Sequence, residues 1–355
     1  MPGSGEKGTV SRPIRFGFSL PIFAAPGSRL FRTPKLPALD PSLALRLGVL
    51  ADTLGFDSLW VADHLMLGKD DAILEGWTTL SVLAGLTHRA KLGLIHQAHQ
   101  LRHPALSAKM MATLDQLSGG RLIYFADHGR NQSEHVAYGI SWSESSEERI
   151  GRMLEGLEVT RTLWQAEERI SYRGRYYSLR GARVAPRPRQ TPHPPIWLGE
   201  MEPLVISAAA EWADGWNSTP VSWDELERRL AVLNAACHRA RRDDASIEKS
   251  LELQVLIARD QSCLSQTLRD IGFGVEKPWG GSGRSPLIGK ESDMSVPDTA
   301  GDLQQGIFGT PDQVRRQLHR LVEMGISHFL LWFLDVPGEE GMRLFMEQVA
   351  PAFGP

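Results

Sequence analysis

Short apolar runs alternate along the chain with longer stretches whose apolar positions recur every three or four residues. The runs read as strands of a parallel sheet and the longer stretches as helices packed against it, so the alternation predicts repeated βα units. The runs fall at residues 14–20, 57–61, 91–96, 121–126, 195–199, 213–217, 251–258 and 328–333, about eight strands in all. Between them, a helix over residues 41–54 closes at Gly55, a natural left-handed C-cap, and Pro104 sits where the first turn of a helix tolerates it. A long helix is expected near residues 145–164, followed at 170–179 by a small hairpin with Gly174 at its turn. Eight strands in βα order predict a closed TIM (β/α)8 barrel, one α/β domain with insertions over residues 1–355. An open doubly wound sheet is disfavoured, because no glycine-rich dinucleotide turn follows the first strand. The stretch 272–309, rich in Gly, Ser and Pro, is expected to be a lid or flexible insertion.

Composition narrows the picture further. Of 355 residues, 42% are hydrophobic and 23% charged, which excludes disorder, collagen and coiled coil. The net charge of -3 gives no electrostatic reason to expect nucleic acid or an anionic membrane as partner. Cys237 and Cys263 have no metal-type spacing and read as free thiols in a reducing cytoplasm. No stretch approaches ~18 consecutive apolar residues, and the first residues lack the apolar core of a signal peptide, so a cytoplasmic protein without a membrane span is expected.

In such a barrel the βα loops converge at the carboxyl ends of the strands, and the catalytic groups gather there. That rule selects Asp63 and His64, then His96, Gln97 and His99, then Asp127, His128 and Arg130, then Glu200, Asn217 and Asp335. His96 and Gln97 are expected to face a pocket, because barrel interiors are normally filled with branched apolar residues. His99 reads as a solvated loop histidine, His103 as packing at a helix start, and Asp63 as orienting or capping the next loop. Trp212, Trp216 and Trp197 read as barrel-to-helix packing. Imidazoles and carboxylates around one mouth also suit a metal-dependent hydrolase. These residues lie on separate strands with no fixed ligand spacing, so none is assigned to a metal.

Several segments together resemble the bacterial luciferase-like family of flavin-dependent oxidoreductases. They are LGFDSLWVADH (54–64), WTTLSVLAGLTHRAKLG (77–93), RHPALSAKMMATLDQLSGGRL (102–122), YRGRYYSL (172–179), PRPRQTPHPPIWLG (186–199) and ADGWN (213–217). The resemblance implies a TIM barrel that uses FMN or the deazaflavin F420. It implies a monooxygenase acting on a small organic substrate, with FMNH2 delivered by a separate flavin reductase, and a homodimer. An F420-dependent oxidoreductase is the alternative, as is a member that has lost its flavin and performs cofactor-free chemistry or binding. The resemblance places His64 near the reactive edge of the flavin, where an imidazole can move protons. It places His96, Asp127 and His128 in the catalytic pocket, and Gln97, Gly129, Arg130 and Gly199 against the cofactor. At the end of strand three the family often has a strained, sometimes cis, peptide beneath the flavin ring.

Two glycine-rich turns of the family are altered. After the fourth strand the chain reads FADHGRNQSEH (125–135), where only Gly129 remains. The Gly-Gly-Ser-Gly type loop that holds the flavin phosphate reads GEMEP (199–203), which adds Glu200 and Glu202. A carboxylate ~4 Å from a phosphate costs about 1 kcal/mol in water and ~4 at an effective dielectric of 20, so this loop is expected to weaken flavin binding. His128 and Arg130 could return positive charge to the site.

Overall fold

A computed structural model describes residues 12–24, 36–270 and 306–354. Its strands are β1 (Arg15–Ser19), β2 (Ser58–Ala62), β3 (Lys91–Ile95), β4 (Gln97–Ala98), β5 (Leu122–Asp127), β6 (Ile170–Arg173), β7 (Ser178–Ala182), β8 (Ile196–Gly199), β9 (Gly215–Ser218), β10 (Glu248–Ile257), β11 (Ile307–Gly309) and β12 (His328–Phe333). The helices are α1 (Pro41–Leu54), α2 (Gly76–Leu86), α3 (Pro104–Leu117), α4 (Gln132–Ala137), α5 (Ser146–Gln165), α6 (Pro203–Trp212), α7 (Trp223–Arg239), α8 (Gln261–Asp270), α9 (Pro311–Glu323) and α10 (Glu340–Gln348). Strands β1, β2, β3, β5, β8, β9, β10 and β12 pair in parallel in that order, and β12 returns to β1. The result is the closed TIM barrel that the alternation predicts.

Local chemistry sets several element ends as expected. Gly55 closes α1 at φ 96°, and its amide donates to Ala51 and Asp52. His103 caps α3, its Nδ1 accepting from the Ala105 amide at 3.2 Å. The hairpin of β6 and β7 turns at Gly174, and Glu155 on α5 accepts from the amides of Arg175, Tyr176 and Tyr177, which fastens the hairpin to the barrel. The lid expected over 272–309 lies outside the described residues as far as 305. Its last three residues are instead strand β11, paired in parallel with β10.

The barrel interior is aromatic and polar. Trp60 and Trp197 meet inside it with ring centroids 5.2 Å apart. Glycines make their room: a Cβ at Gly93 would lie 2.3 Å from the Trp60 ring, and one at Gly215 would lie 2.4 Å from Trp197. Trp197 is therefore core of the barrel itself, a correction to the expected barrel-to-helix packing. Trp212 does pack between helices, under the Arg161 guanidinium of α5.

Below the tryptophans runs a chain of buried hydrogen bonds. Trp60 Nε1–H donates to Ser58 Oγ at 2.8 Å, Ser58 lies 2.7 Å from His328 Nε2, and His328 Nδ1 lies 3.0 Å from Glu248. The indole donates to the serine oxygen, and because the Glu248 carboxylate can only accept, the neutral His328 ring carries its hydrogen on Nδ1 and leaves Nε2 to accept from the serine hydroxyl. Burial pushes the Glu248 carboxyl up, but His328 and Arg15 outweigh it and hold the group below its usual range. Its contribution to stability is thus full above the unfolded-state value and fades as pH falls through the lower folded one. Ser58→Ala is expected to lower the unfolding free energy by about 2 to 6 kcal/mol, since it leaves two buried groups unpaired at ~1–3 kcal/mol each. Urea unfolding at constant m value measures this, and a loss within about 0.5 kcal/mol would show the chain to be dispensable.

Candidate active site

His64 follows β2 at the carboxyl mouth. Its Nδ1 lies 3.1 and 3.3 Å from the two carboxylate oxygens of Glu134 on α4. Glu134 is 1% exposed and also accepts from the amides of Leu65 and Met66. Burial pushes this carboxyl up, while the hydrogen bond and charge of His64 and the two amides bring it below its usual range. The carboxylate accepts, so Nδ1 carries the hydrogen, and in the neutral ring Nε2 keeps its lone pair. The His64 side chain keeps 34% of its surface exposed, and its Nε2 has no partner among the described residues.

Asp63, one residue earlier, is turned away into a salt bridge. It is 1% exposed and binds Arg102 in a two-pronged contact at 2.8 and 2.9 Å, and Arg102 also reaches Glu75 at 2.6 Å. The pair ties the β2 end to the start of α3, which fits the orienting role expected of Asp63.

At the end of β3 the Ile95–His96 peptide is cis. His96 Nε2 lies 2.8 Å from Glu252 Oε1, and the ring stands edge-on to Phe125 at 4.6 Å. Asn217 on β9 donates to the same oxygen at 2.9 Å, and Ser250 donates to Asn217 Oδ1 at 2.8 Å. Gln97 is 2% exposed and belongs to β4, which pairs with β5.

His99 is a correction. It is buried against α5, where a Cβ on Gly156 would lie 2.0 Å from its ring, and its Nε2 meets Tyr177 Oη at 3.1 Å. Burial holds its pKa down to about 4, so it is a neutral packing residue rather than a solvated one.

The altered turn after β5 shows what replaced the missing glycines. Asp127 Oδ1 accepts from the Gly129 amide at 2.6 Å, and Gly129 itself takes φ 77°. The carboxylate thus closes the turn. His128 is buried, and its carbonyl accepts from Gln100. Burial lowers its pKa, with Asp127 and Glu202 pulling in the opposite direction. Arg130 forms a salt bridge with Glu200, which sits at φ 91°, a conformation in which glycine would be at ease. Gly199 is buried, and a Cβ there would stand 3.1 Å from the Phe125 ring.

Asp335 lies two residues beyond β12 and accepts from the Gly341 amide of α10 at 2.8 Å. Burial raises its pKa to about 6. It joins none of the clusters above. The structure therefore brings together His64 with Glu134, His96 with Asn217 and Glu252, and Arg130 with Glu200. Glu134, Glu252 and Arg102 were not among the sequence candidates. Glu252 had a signal, since Glu248, Ser250, Glu252 and Gln254 place polar groups at every second position of one strand. Among the described residues, no three His, Cys, Asp or Glu side chains are arranged to hold a metal ion. No helix among them is long and apolar enough to cross a membrane.

A parallel eight-stranded barrel with carboxylate-backed imidazoles at its carboxyl mouth defines a TIM barrel of enzymatic design. The chain belongs to the luciferase-like monooxygenase family, which it matches over residues 15–328. It is 27% identical over 347 residues to an F420-dependent glucose-6-phosphate dehydrogenase of Microbacterium testaceum (strain StLB037), covering 96% of this chain and 97% of that one. It is 28% identical over 366 residues to a phthiodiolone/phenolphthiodiolone dimycocerosates ketoreductase of Mycobacterium bovis (strain BCG / Pasteur 1173P2), covering 90% and 91%. Among solved structures it is similar to a long-chain alkane monooxygenase, with a TM-score of 0.76 at 18% identity, covering 97% of this chain and 91% of that one.

Proposed function

We propose that this chain is an oxidoreductase that moves a hydride between a carbinol or ketone substrate and a deazaflavin of the F420 type. The observation that carries the reading is the His64–Glu134 pair with its outward Nε2. Oxidation of a carbinol removes a hydride from carbon and a proton from oxygen, and the proton needs a base at the mouth. His64 takes that proton at Nε2 while Glu134 holds Nδ1–H and stabilises the imidazolium that forms. The reverse direction uses the same imidazolium as acid. A bound deazaflavin would supply the hydride acceptor. The names of the two relatives, an F420-dependent dehydrogenase and a ketoreductase, both describe redox exchange at a carbon bearing oxygen and support the reading.

The loop after β8 fits the anionic end of such a cofactor with one defect. Helix α6 begins at Pro203, and the Glu202 side chain at its N-cap makes no capping bond, which leaves the first-turn amides to an anion. Arg130 neutralises Glu200, so the expected double repulsion is reduced to one carboxylate. Glu202 has no salt-bridge partner among the described residues, and its Oε2 is buried without a hydrogen bond. Glu202→Gly is therefore expected to tighten F420 binding roughly 5- to 1000-fold, the equivalent of removing about 1 to 4 kcal/mol of repulsion at ~4 Å. Calorimetric titration at two salt concentrations checks it, and an unchanged constant would place the phosphate elsewhere.

The FMNH2-dependent monooxygenase reading is favoured by the family's description and by the alkane monooxygenase neighbour. One experiment separates the two. Purified protein is mixed with oxidised F420 and a panel of secondary alcohols and sugar phosphates, and with FMNH2 plus oxygen and the same compounds. Bleaching of F420 that proceeds equally under nitrogen supports hydride transfer. Product formation that requires FMNH2 and consumes oxygen would instead establish the monooxygenase.

A further inference from the structure

We infer that Glu252 is a positioning residue that holds His96 as its Nε2–H tautomer, so that the floor of the mouth presents His96 Nδ1 as a hydrogen-bond acceptor. Glu252 stands on the inner face of β10 with its side chain 1% exposed. One of its oxygens receives both His96 Nε2 at 2.8 Å and Asn217 Nδ2 at 2.9 Å. Asn217 turns its NH2 group toward Glu252 and its Oδ1 toward the Ser250 hydroxyl at 2.8 Å, the orientation that gives the carboxylate a second donor. A buried carboxylate has only lone pairs to offer and is tolerated when donors surround it. His96 must therefore place its hydrogen on Nε2. The ring stands edge-on to Phe125 at 4.6 Å, the side chain keeps 22% of its surface exposed, and Nδ1 has no hydrogen-bond partner among the described residues.

His64 is arranged the opposite way. Its Nδ1 is the nitrogen held by a carboxylate and its Nε2 is the outward one. The mouth thus carries two imidazoles, each backed by a buried carboxylate, with opposite nitrogens turned outward. His64 is placed to exchange a proton with substrate. His96 is placed to accept a hydrogen bond from a ligand O–H or imide N–H, and it loses that ability when protonated. The assignment of the donor to F420 rests on the oxidoreductase reading; the tautomer does not.

The test uses the full-length protein labelled with nitrogen-15 at histidine. Long-range proton–nitrogen correlation spectra report which ring nitrogen carries the hydrogen, and the signal missing from His96→Gln assigns the residue. On the alkaline side of its titration, wild-type His96 is expected to be the Nε2–H tautomer alone. The Nδ1–H form, or a mixture, would overturn the inference. Glu252→Leu should give a mixture with the near-ultraviolet circular dichroism preserved. Should that variant not fold, Glu252→Gln keeps an oxygen acceptor facing Asn217 and is expected to keep the tautomer; a switch to Nδ1–H there would also overturn the argument. For the ligand step, His96→Phe retains the ring against Phe125 but removes the acceptor, and it should weaken F420 binding about fivefold. An unchanged constant overturns that step. If F420 does not bind at all, the deazaflavin reading fails, while the tautomer measured without ligand still decides the role of Glu252.

Discussion

His64→Ala is expected to lower turnover by about two to four decades, the usual contribution of a positioned acid or base, with little change in stability. The side chain is a third exposed, so its removal opens no core cavity, and the loss falls on chemistry. Glu134 carries more of the folding role, because it also satisfies the amides of Leu65 and Met66. Turnover of the variant within a factor of about three of wild type would remove His64 from the mechanism. His99→Ala is the contrast. That imidazole is buried against Tyr177 and Gly156, so its loss should act on stability and leave turnover nearly intact.

Asp63→Ala should destabilise the fold by about 3 kcal/mol, near the low end of the ~3–5 kcal/mol for breaking a buried ion pair. Arg102 is 12% exposed and would lose its two-pronged partner, but its contact with Glu75 at 2.6 Å remains and limits the damage. Glu75 is itself 41% exposed, so it cannot replace a fully buried carboxylate. The double variant Asp63→Leu with Arg102→Met removes both charges and is expected to recover most of the loss. Denaturant unfolding of the single and double variants measures the coupling. A single-variant loss within about 1 kcal/mol would show the pair to be as weak as an exposed one.

The barrel was legible in the sequence because both of its signals are local. Apolar runs mark strands within a few residues, and Gly55, Gly174 and Pro104 punctuate elements by constraints that act on their own backbone. Once the strands were placed, the strand-end rule brought His64, His96, His128 and Glu200 to one mouth without any knowledge of contacts. The same reasoning misjudged His99, since a polar residue in a loop reads as solvated until the hairpin supplies Tyr177 and α5 supplies a glycine for its ring. It offered Arg130 as positive charge for the site, but not the salt bridge that Arg130 makes with Glu200.

What the sequence by itself determined was therefore the alternation of strands and helices, the closed barrel, and which strand ends carry imidazoles and carboxylates. Tertiary structure alone decided which of these groups act as pairs. His64 and Glu134 are 70 residues apart and His96 and Glu252 are 156 apart, so their hydrogen bonds exist only after the barrel has closed. The physical reason is that periodicity and backbone preference are properties of neighbours along the chain. The tautomer of a histidine and the charge state of a buried carboxylate depend instead on whichever donors and acceptors closure brings within about 3 Å.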